Sequence, residues 1–184
     1  RIRHDMKQYY TVLETLLSEN RTSEAMEYIR AGRSAISKTE VLVDVGNDFV
    51  NSILNSKLST AKQLGIEVIC SSVKDISGIE AVDLCTLLGN LLDNAIEAAE
   101  QCLSENCLIE VKITNSDEKL IIQVTNSIKD SVLSENSELI STKNNPLEHG
   151  FGVSSIRLIS KKYSGTVNYF EEDGILSCGV ILYR

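Results

Sequence analysis

The stretch Asp83–Leu103 constrains the fold more than any other. Leu88, Leu91, Leu92, Ala95, Ala99 and Leu103 recur at helical spacing and form one apolar stripe, with Asp83 placed to cap its start. A helix this apolar along one side must lie against a sheet or another helix. On the remaining surface Asn90 and Asn94 stand at i and i+4, so their amides share one face beside a second such pair, Asp93 and Glu97. Asparagine is a poor helix former, so two at this spacing need a reason. A neutral amide oxygen is a hard ligand, suited to a divalent cation that already carries phosphate charge. By pattern alone, a solvated polar face is the competing reading.

The flanking segments supply a sheet. Ile66–Cys70 is a short β-run, Leu108–Thr114 and Leu120–Asn126 read as a strand pair around the turn Asn115–Glu118, and Thr166–Phe170 and Leu176–Tyr183 read as two more strands. Phe49, Val50, Ile53, Leu54, Leu58 and Ala61 predict the buried face of a helix over 47–64, closed by Gly65. Gly152–Tyr163 is a further helix. Residues 127–149 are polar, hold the only proline (Pro146) and show no period, so they read as a long loop of the kind that serves as a lid. Helices interleaved with mostly antiparallel strands predict an α+β sandwich, a mixed sheet with helices on one face.

The first forty residues differ. Met6, Tyr9, Tyr10, Leu13, Leu16 and Leu17 form a helical stripe over 2–18. Ser18–Thr22 interrupts it, and Ser23 is placed to cap a second helix reaching Lys38, with Glu24 and Glu27 in its first turns. Two helices on a short loop pack antiparallel. The pair is too sparsely apolar to bury a core alone. A second copy would complete a four-helix bundle, and docking onto the rest of the chain is the alternative. The expected division is therefore 1–40, a helical hairpin, and 41–184, the α+β domain. The chain opens directly on the helical pattern, as a piece cut from a longer protein would.

Composition excludes some classes. With 42% hydrophobic and 24% charged residues, a packed core is expected rather than disorder. A net charge of -8 disfavours binding to nucleic-acid backbones, although backbone amides and a few lysines can still hold a local phosphate. The five cysteines show no zinc or C-x-x-C spacing, and most sit among apolar neighbours, as expected of buried thiols in a reducing compartment. No apolar run approaches the ~20 residues of a membrane span and no signal peptide is visible, so the chain is expected to be soluble.

Two weaker signals accompany the asparagines. Gly150-Phe151-Gly152 opens a helix after the long loop, where glycines allow close approach and free amides attract phosphate. The loop offers Ser141, Thr142, Lys143 and His149 to phosphate oxygens, but there is no G-x-x-x-x-G-K-[ST] arrangement. His4-Asp5 places an imidazole beside a carboxylate on the first helix. An unprotonated ring nitrogen can attack phosphorus while the acid orients the tautomer, with an ordinary surface histidine as the bland reading.

In this order the elements resemble the sensor histidine kinases of the GHKL ATPase superfamily, and within them the AgrC-type peptide-pheromone receptors of quorum sensing. His4-Asp5 resembles the phosphoacceptor box. Gly46-Asn47 through Ile53-Leu54-Asn55-Ser56-Lys57, with Ala61-Lys62 and Gly65-Ile66, resembles the segment leading into the catalytic domain. Asn90-x-x-x-Asn94-Ala95 is similar to the N box, and Gly150-Phe151-Gly152 to the second glycine box.

The resemblance implies ATP and Mg²⁺ as cofactors, with Asn94 on the metal and Asn90 placing metal and phosphates. It implies a nucleotide-binding set of Asn90, Asn94, Glu97, Asn126, Lys143, Gly150, Phe151 and Gly152. His4 would be phosphorylated with help from Asp5, and the phosphoryl group would pass to a response-regulator aspartate. Partners implied are a second copy through the N-terminal helices and that regulator, with no nucleic acid. Membrane attachment would come only through a sensor domain outside this chain, which would place this part on the cytoplasmic side.

Two departures stand out. Asn126, in Val124-Thr125-Asn126-Ser127, replaces the usual adenine-binding aspartate, so weak nucleotide affinity is expected, by about 1 kcal/mol. Gln8 stands where asparagine or threonine positions a water for dephosphorylation. Hydrolases of the superfamily have glutamate at position 90, and an amide cannot take the proton from water. The competing expectations are a degenerate module that dimerises without using ATP, and a GHKL hydrolase or serine kinase.

Overall fold

The computed structural model describes residues 2–36, 43–74, 76–102, 107–135 and 152–184, without the side chains of 2–9, 30–36, 134 and 135. Its contacts divide the chain into two units, Arg1–Glu40 and Val41–Arg184.

The first unit is a hairpin of α1 (Ile2–Ser18) and α2 (Thr22–Ile36). Asn20 takes the left-handed conformation (φ 55°) that lets the chain reverse, and the Arg21 amide donates to the Leu16 carbonyl at 2.9 Å. The Arg21 guanidinium holds Glu19 at 2.8 Å and Glu24 at 2.6 Å across the turn. The second helix begins one residue before Ser23, which therefore lies in its first turn rather than capping it. Ala25 is buried, while Tyr10, Leu17, Met26 and Ile29 are exposed.

The second unit is the expected α+β sandwich. A five-stranded sheet runs β1 (Glu67–Ser72), β2 (Leu108–Asn115), β3 (Lys119–Ser127), β5 (Ile175–Tyr183), β4 (Thr166–Glu172). Only the β1–β2 pairing is parallel. That parallel step needs a crossover, which α4 (Ala81–Glu100) supplies. The last two strands close on Asp173-Gly174, both at positive φ (49° and 75°), the two-residue loop that matches strand twist.

Inward residues alternate along the strands and align across them. Ile113, Ile122 and Val180 form one buried row, and Val111, Val124 and Cys178 the next. Onto this face pack α3 (Asp48–Gln63), α4 and α6 (Gly152–Lys162), with α4 touching both other helices as well as β2 and β3. The predicted stripe of α4 is buried through Ala99, together with Leu84, Leu87 and Ile96; Leu103 lies outside the described residues. Each such leucine contributes about 1.5–3 kcal/mol on burial.

Local chemistry fixes α3. Asn47 caps it through Phe49 N (3.1 Å) and Val50 N (3.2 Å). One and two turns on, Asn51 accepts from Val45 N (2.8 Å), and Asn55 accepts from Val43 N (2.9 Å) while donating to Val43 O (2.8 Å). Three asparagines thus tie the incoming chain to the helix. Gly46, at φ +77°, is required there, since a Cβ would stand 2.1 Å from the Lys74 carbonyl oxygen.

Four further expectations are corrected. Phe49 is 75% exposed, because the buried positions are Val50, Leu54, Leu58 and Ala61. Asp83 does not cap α4; the N-cap is Glu80, and Asp83 instead accepts from Lys162 Nζ and the Tyr163 hydroxyl, both at 2.6 Å. The predicted long loop contains a helical turn, α5 (Val132–Glu135), whose amides at Val132 and Leu133 donate to Glu171 Oε2 at 2.9 and 2.8 Å. Hydrogen bonds from Ser131, Leu133 and Val132 hold that carboxylate below its usual pKa range. Finally, Cys178 alone is fully buried among the cysteines, the other four being half-buried, and all five are free thiols.

Candidate functional site

The face of α4 that carries the asparagines is met by the start of α6. Asn90 is half-buried and Asn94 exposed. A Cβ built on Gly152 would stand 3.5 Å from Asn94 Oδ1, 3.7 Å from Asn90 Oδ1 and 3.8 Å from Asn94 Nδ2. Glycine therefore leaves a space one carbon wide between the helix N-terminus and two amides 58 and 62 residues upstream. That N-terminus opens an eleven-residue helix, whose first turn carries N–H groups without intrahelical partners and the positive end of the helix dipole. Amide oxygens on one side and amide hydrogens on the other fit a cation bound to an anion's oxygens, such as Mg²⁺ carrying phosphates.

Beside this junction a small cleft of about 40 Å³ enters the sandwich between α4 and the sheet. Leu91, Asn94 and Ala95 line it from the helix, and Val124, Asn126, Tyr169, Leu176 and Cys178 from β3, β4 and β5. It is far below the ~300 Å³ of the smallest ligand pockets, so any ligand of that size must widen it on entering. Asn126 is buried at the end of an apolar row, between Ile109 and Leu176. Its Nδ2 donates to the Ser127 carbonyl at 2.9 Å. That bond fixes the amide, because the flipped rotamer would set oxygen against oxygen, and it leaves Oδ1 as the acceptor.

The remaining expected site residues fall into two groups. Glu97 is half-buried on α4, one turn from Asp93, and Asp93 forms an ion pair with Lys57 of α3. That pair is largely exposed and contributes at most about 1 kcal/mol. His4, Asp5 and Gln8 lie on α1, with side chains outside the described residues. Lys143, Gly150 and Phe151, with Ser141, Thr142 and His149, also lie outside them. Sequence reasoning missed Tyr169, Leu176 and Cys178, whose place depends on the β4–β5 register. The Asp173-Gly174 turn, recognisable as a hairpin signal, could have supplied it.

Other features offer less. A larger open groove of about 340 Å³ on the hairpin is lined by Leu16, Glu24, Glu27 and Tyr28; its two carboxylates repel phosphate. Burial pushes the Cys70 and Cys178 thiols up to about 11, so both stay protonated and unreactive near neutrality. No metal-binding cluster of His, Cys, Asp and Glu occurs among the described residues, and none of their helices is long and apolar enough to cross a membrane.

A family model described as the GHKL domain matches residues 79–182, a span that takes in the asparagine face, the α6 N-terminus and the cleft. The sensor histidine kinase DpiB of Escherichia coli (strain K12) is 24% identical over 188 residues, covering 96% of this chain and 31% of that protein. A probable C4-dicarboxylate sensor kinase of Bacillus subtilis (strain 168) is 27% identical over 130 residues, 67% of this chain and 24% of that one. The chain thus spans at most about a third of these relatives. The catalytic domain of histidine kinase ThkA superposes with a TM-score of 0.61 at 18% identity, over 75% of this chain and 93% of that one, a likeness of fold.

Proposed function

The chain belongs to the GHKL-domain family, and from that membership we propose that it is the ATP-using part of a sensor histidine kinase. In this reading it moves the γ-phosphoryl group of ATP to His4, and from there to an aspartate of a response regulator. The observation that carries the proposal is the junction of Asn90, Asn94 and Gly152.

Asn94 would hold Mg²⁺ with Asn90 beside it, and the bound ion would neutralise phosphate charge. The α6 N-terminus, with Gly150, Phe151 and Lys143 before it, would bind phosphate oxygens. Asn126 Oδ1 would accept from the adenine amino group, and Glu97 completes the nucleotide set. Neither Asn90 nor Asn94 can accept a proton, so the site positions phosphate without activating water. Phosphoryl transfer depends chiefly on such positioning and charge stabilisation. The acceptor is then His4, with Asp5 holding the imidazole tautomer and Gln8 placed for any dephosphorylating water. A hydrolase lacks its base here, and a module that ignores ATP has no use for the junction.

In the same reading residues 1–40 form the phosphoacceptor hairpin and pair with a second copy, and 41–184 form the catalytic domain. The fragment works on the cytoplasmic side of a membrane that a sensor domain outside it would span. Asn126, at a position where AgrC-type kinases commonly carry asparagine, and the segment from Gly46-Asn47 through Lys57 support a peptide-pheromone receptor of that type. The C4-dicarboxylate kinase among the relatives supports an organic-acid sensor instead. Titrating kinase activity of the full membrane protein with peptide or with dicarboxylate separates these two.

Calorimetry with ATP tests the site. Binding should require Mg²⁺ and be lost in Asn94→Ala. Metal-independent binding that survives the substitution would overturn the assignment.

A further inference from the structure

The Tyr169 hydroxyl is buried and, beyond a weak contact with the Cys178 thiol, has no hydrogen-bond partner among the described residues. This is an unusual state for tyrosine, whose hydroxyl normally finds a partner when buried, and it marks a group that something else satisfies. The ring projects from β4 on the helix-facing side, across from Cys178 of β5 and one further strand from Val124. A thiol is a poor hydrogen-bonding neighbour, and valine offers nothing. Phenylalanine would fill the same row without stranding a polar atom. Tyr169 also lines the cleft that holds Asn126 and Asn94.

We propose that Tyr169 is a base-contacting residue, whose hydroxyl donates a hydrogen bond to a ring nitrogen of the purine that enters this cleft. The inference rests on the nucleotide-binding reading above and adds a second contact point to it. Asn126, locked by Ser127, presents only an acceptor, which suits an exocyclic amino group. Tyr169 supplies the complementary donor toward a ring nitrogen. Burial, with the Cys178 thiol beside it, raises the phenol well above its ordinary pKa, so the donor proton is present throughout the neutral range. Two convergent groups of opposite sense read a base more selectively than one, because a base of the wrong pattern leaves a buried group unpaired.

The test measures equilibrium affinity by calorimetry, with wild type and Tyr169→Phe, for ATP and for the 1-deaza, 3-deaza and 7-deaza triphosphates. Each analogue replaces one ring nitrogen by C–H. The substitution keeps ring volume, so thermal unfolding should be unchanged or slightly raised. Tyr169→Phe should bind ATP about five- to tenfold more weakly, the usual size of one neutral hydrogen bond. With one deaza analogue, already weakened in the wild type, the substitution should have no further effect. Equal affinity of both proteins for ATP would overturn the inference and leave the nucleotide reading standing. So would an equal loss across ATP and all three analogues, which would indicate a purely structural role. A wild type that binds no ATP would overturn both.

Discussion

Replacing Gly152 with alanine separates folding from ligand binding at the proposed phosphate junction. The added methyl would meet Asn94 Oδ1 at 3.5 Å and Asn90 Oδ1 at 3.7 Å. Those are ordinary van der Waals separations, so the unliganded protein has no clash to relieve. Alanine also forms helices more readily than glycine by up to about 1 kcal/mol, so stability should hold or rise slightly. The methyl nevertheless occupies the space between the helix amides and the asparagine oxygens. A phosphate oxygen there must sit about 2.7–3.2 Å from its N–H donors, and Mg²⁺ about 2.0–2.1 Å from its ligands. Displacing one charge-assisted hydrogen bond costs about 1.5–3 kcal/mol, which weakens Mg²⁺–nucleotide binding roughly ten- to hundredfold. Urea unfolding and calorimetric titration on the same preparation read both quantities. A Gly152→Ala protein that binds Mg²⁺–ATP within twofold of wild type would refute the placement of phosphates at this junction. A large loss of stability would refute the inference that the space is open.

Three further outcomes follow from the structure. Asn94→Asp should retain part of the Mg²⁺ affinity that Asn94→Ala loses, yet impair phosphoryl transfer; equal binding by both variants would contradict an oxygen ligand at this position. Leu88, 1% exposed on α4, should cost about 2–5 kcal/mol on truncation to alanine, and a urea-derived loss under 1 kcal/mol would contradict its place in the core. Asp83 is held below its usual pKa range first by Lys162 and then by Tyr163, so its folded pKa lies under its unfolded value of about 3.9. Its contribution is therefore present above about pH 4 and lost as pH falls through the folded value, and unfolding free energy measured from pH 6 to 3 should drop less steeply in Asp83→Asn.

The sequence revealed what depends on neighbours along the chain and hid what depends on distant partners. The α4 stripe from Leu88 to Ala99 is buried as its periodicity required, and the β2–β3 pair lies within two residues of its expected bounds. Asp83 looked like a cap because caps are local; its actual partners, Lys162 and Tyr163, stand 79 and 80 residues away. The turn α5 escaped notice for the same reason, since Glu171 holds it from 38 and 39 residues downstream. Phe49 reads as core only by its hydrophobicity, since Val50, Leu54, Leu58 and Ala61 already define the stripe. At the site, the paired asparagines were legible by spacing. Asn126 was legible only through family resemblance, and its orientation toward the cleft follows from a bond to Ser127 that no pattern announces. Tyr169 needed the strand register, which places it beside Cys178.

The most direct test of the central claim is incubation of the chain with γ-labelled ATP and Mg²⁺, comparing wild type with His4→Gln and treating the product with acid and with base. Phosphohistidine on His4 predicts label that is stable to base, lost in acid and missing from His4→Gln. Label that survives acid, or that persists in His4→Gln, would contradict a histidine kinase acting on His4.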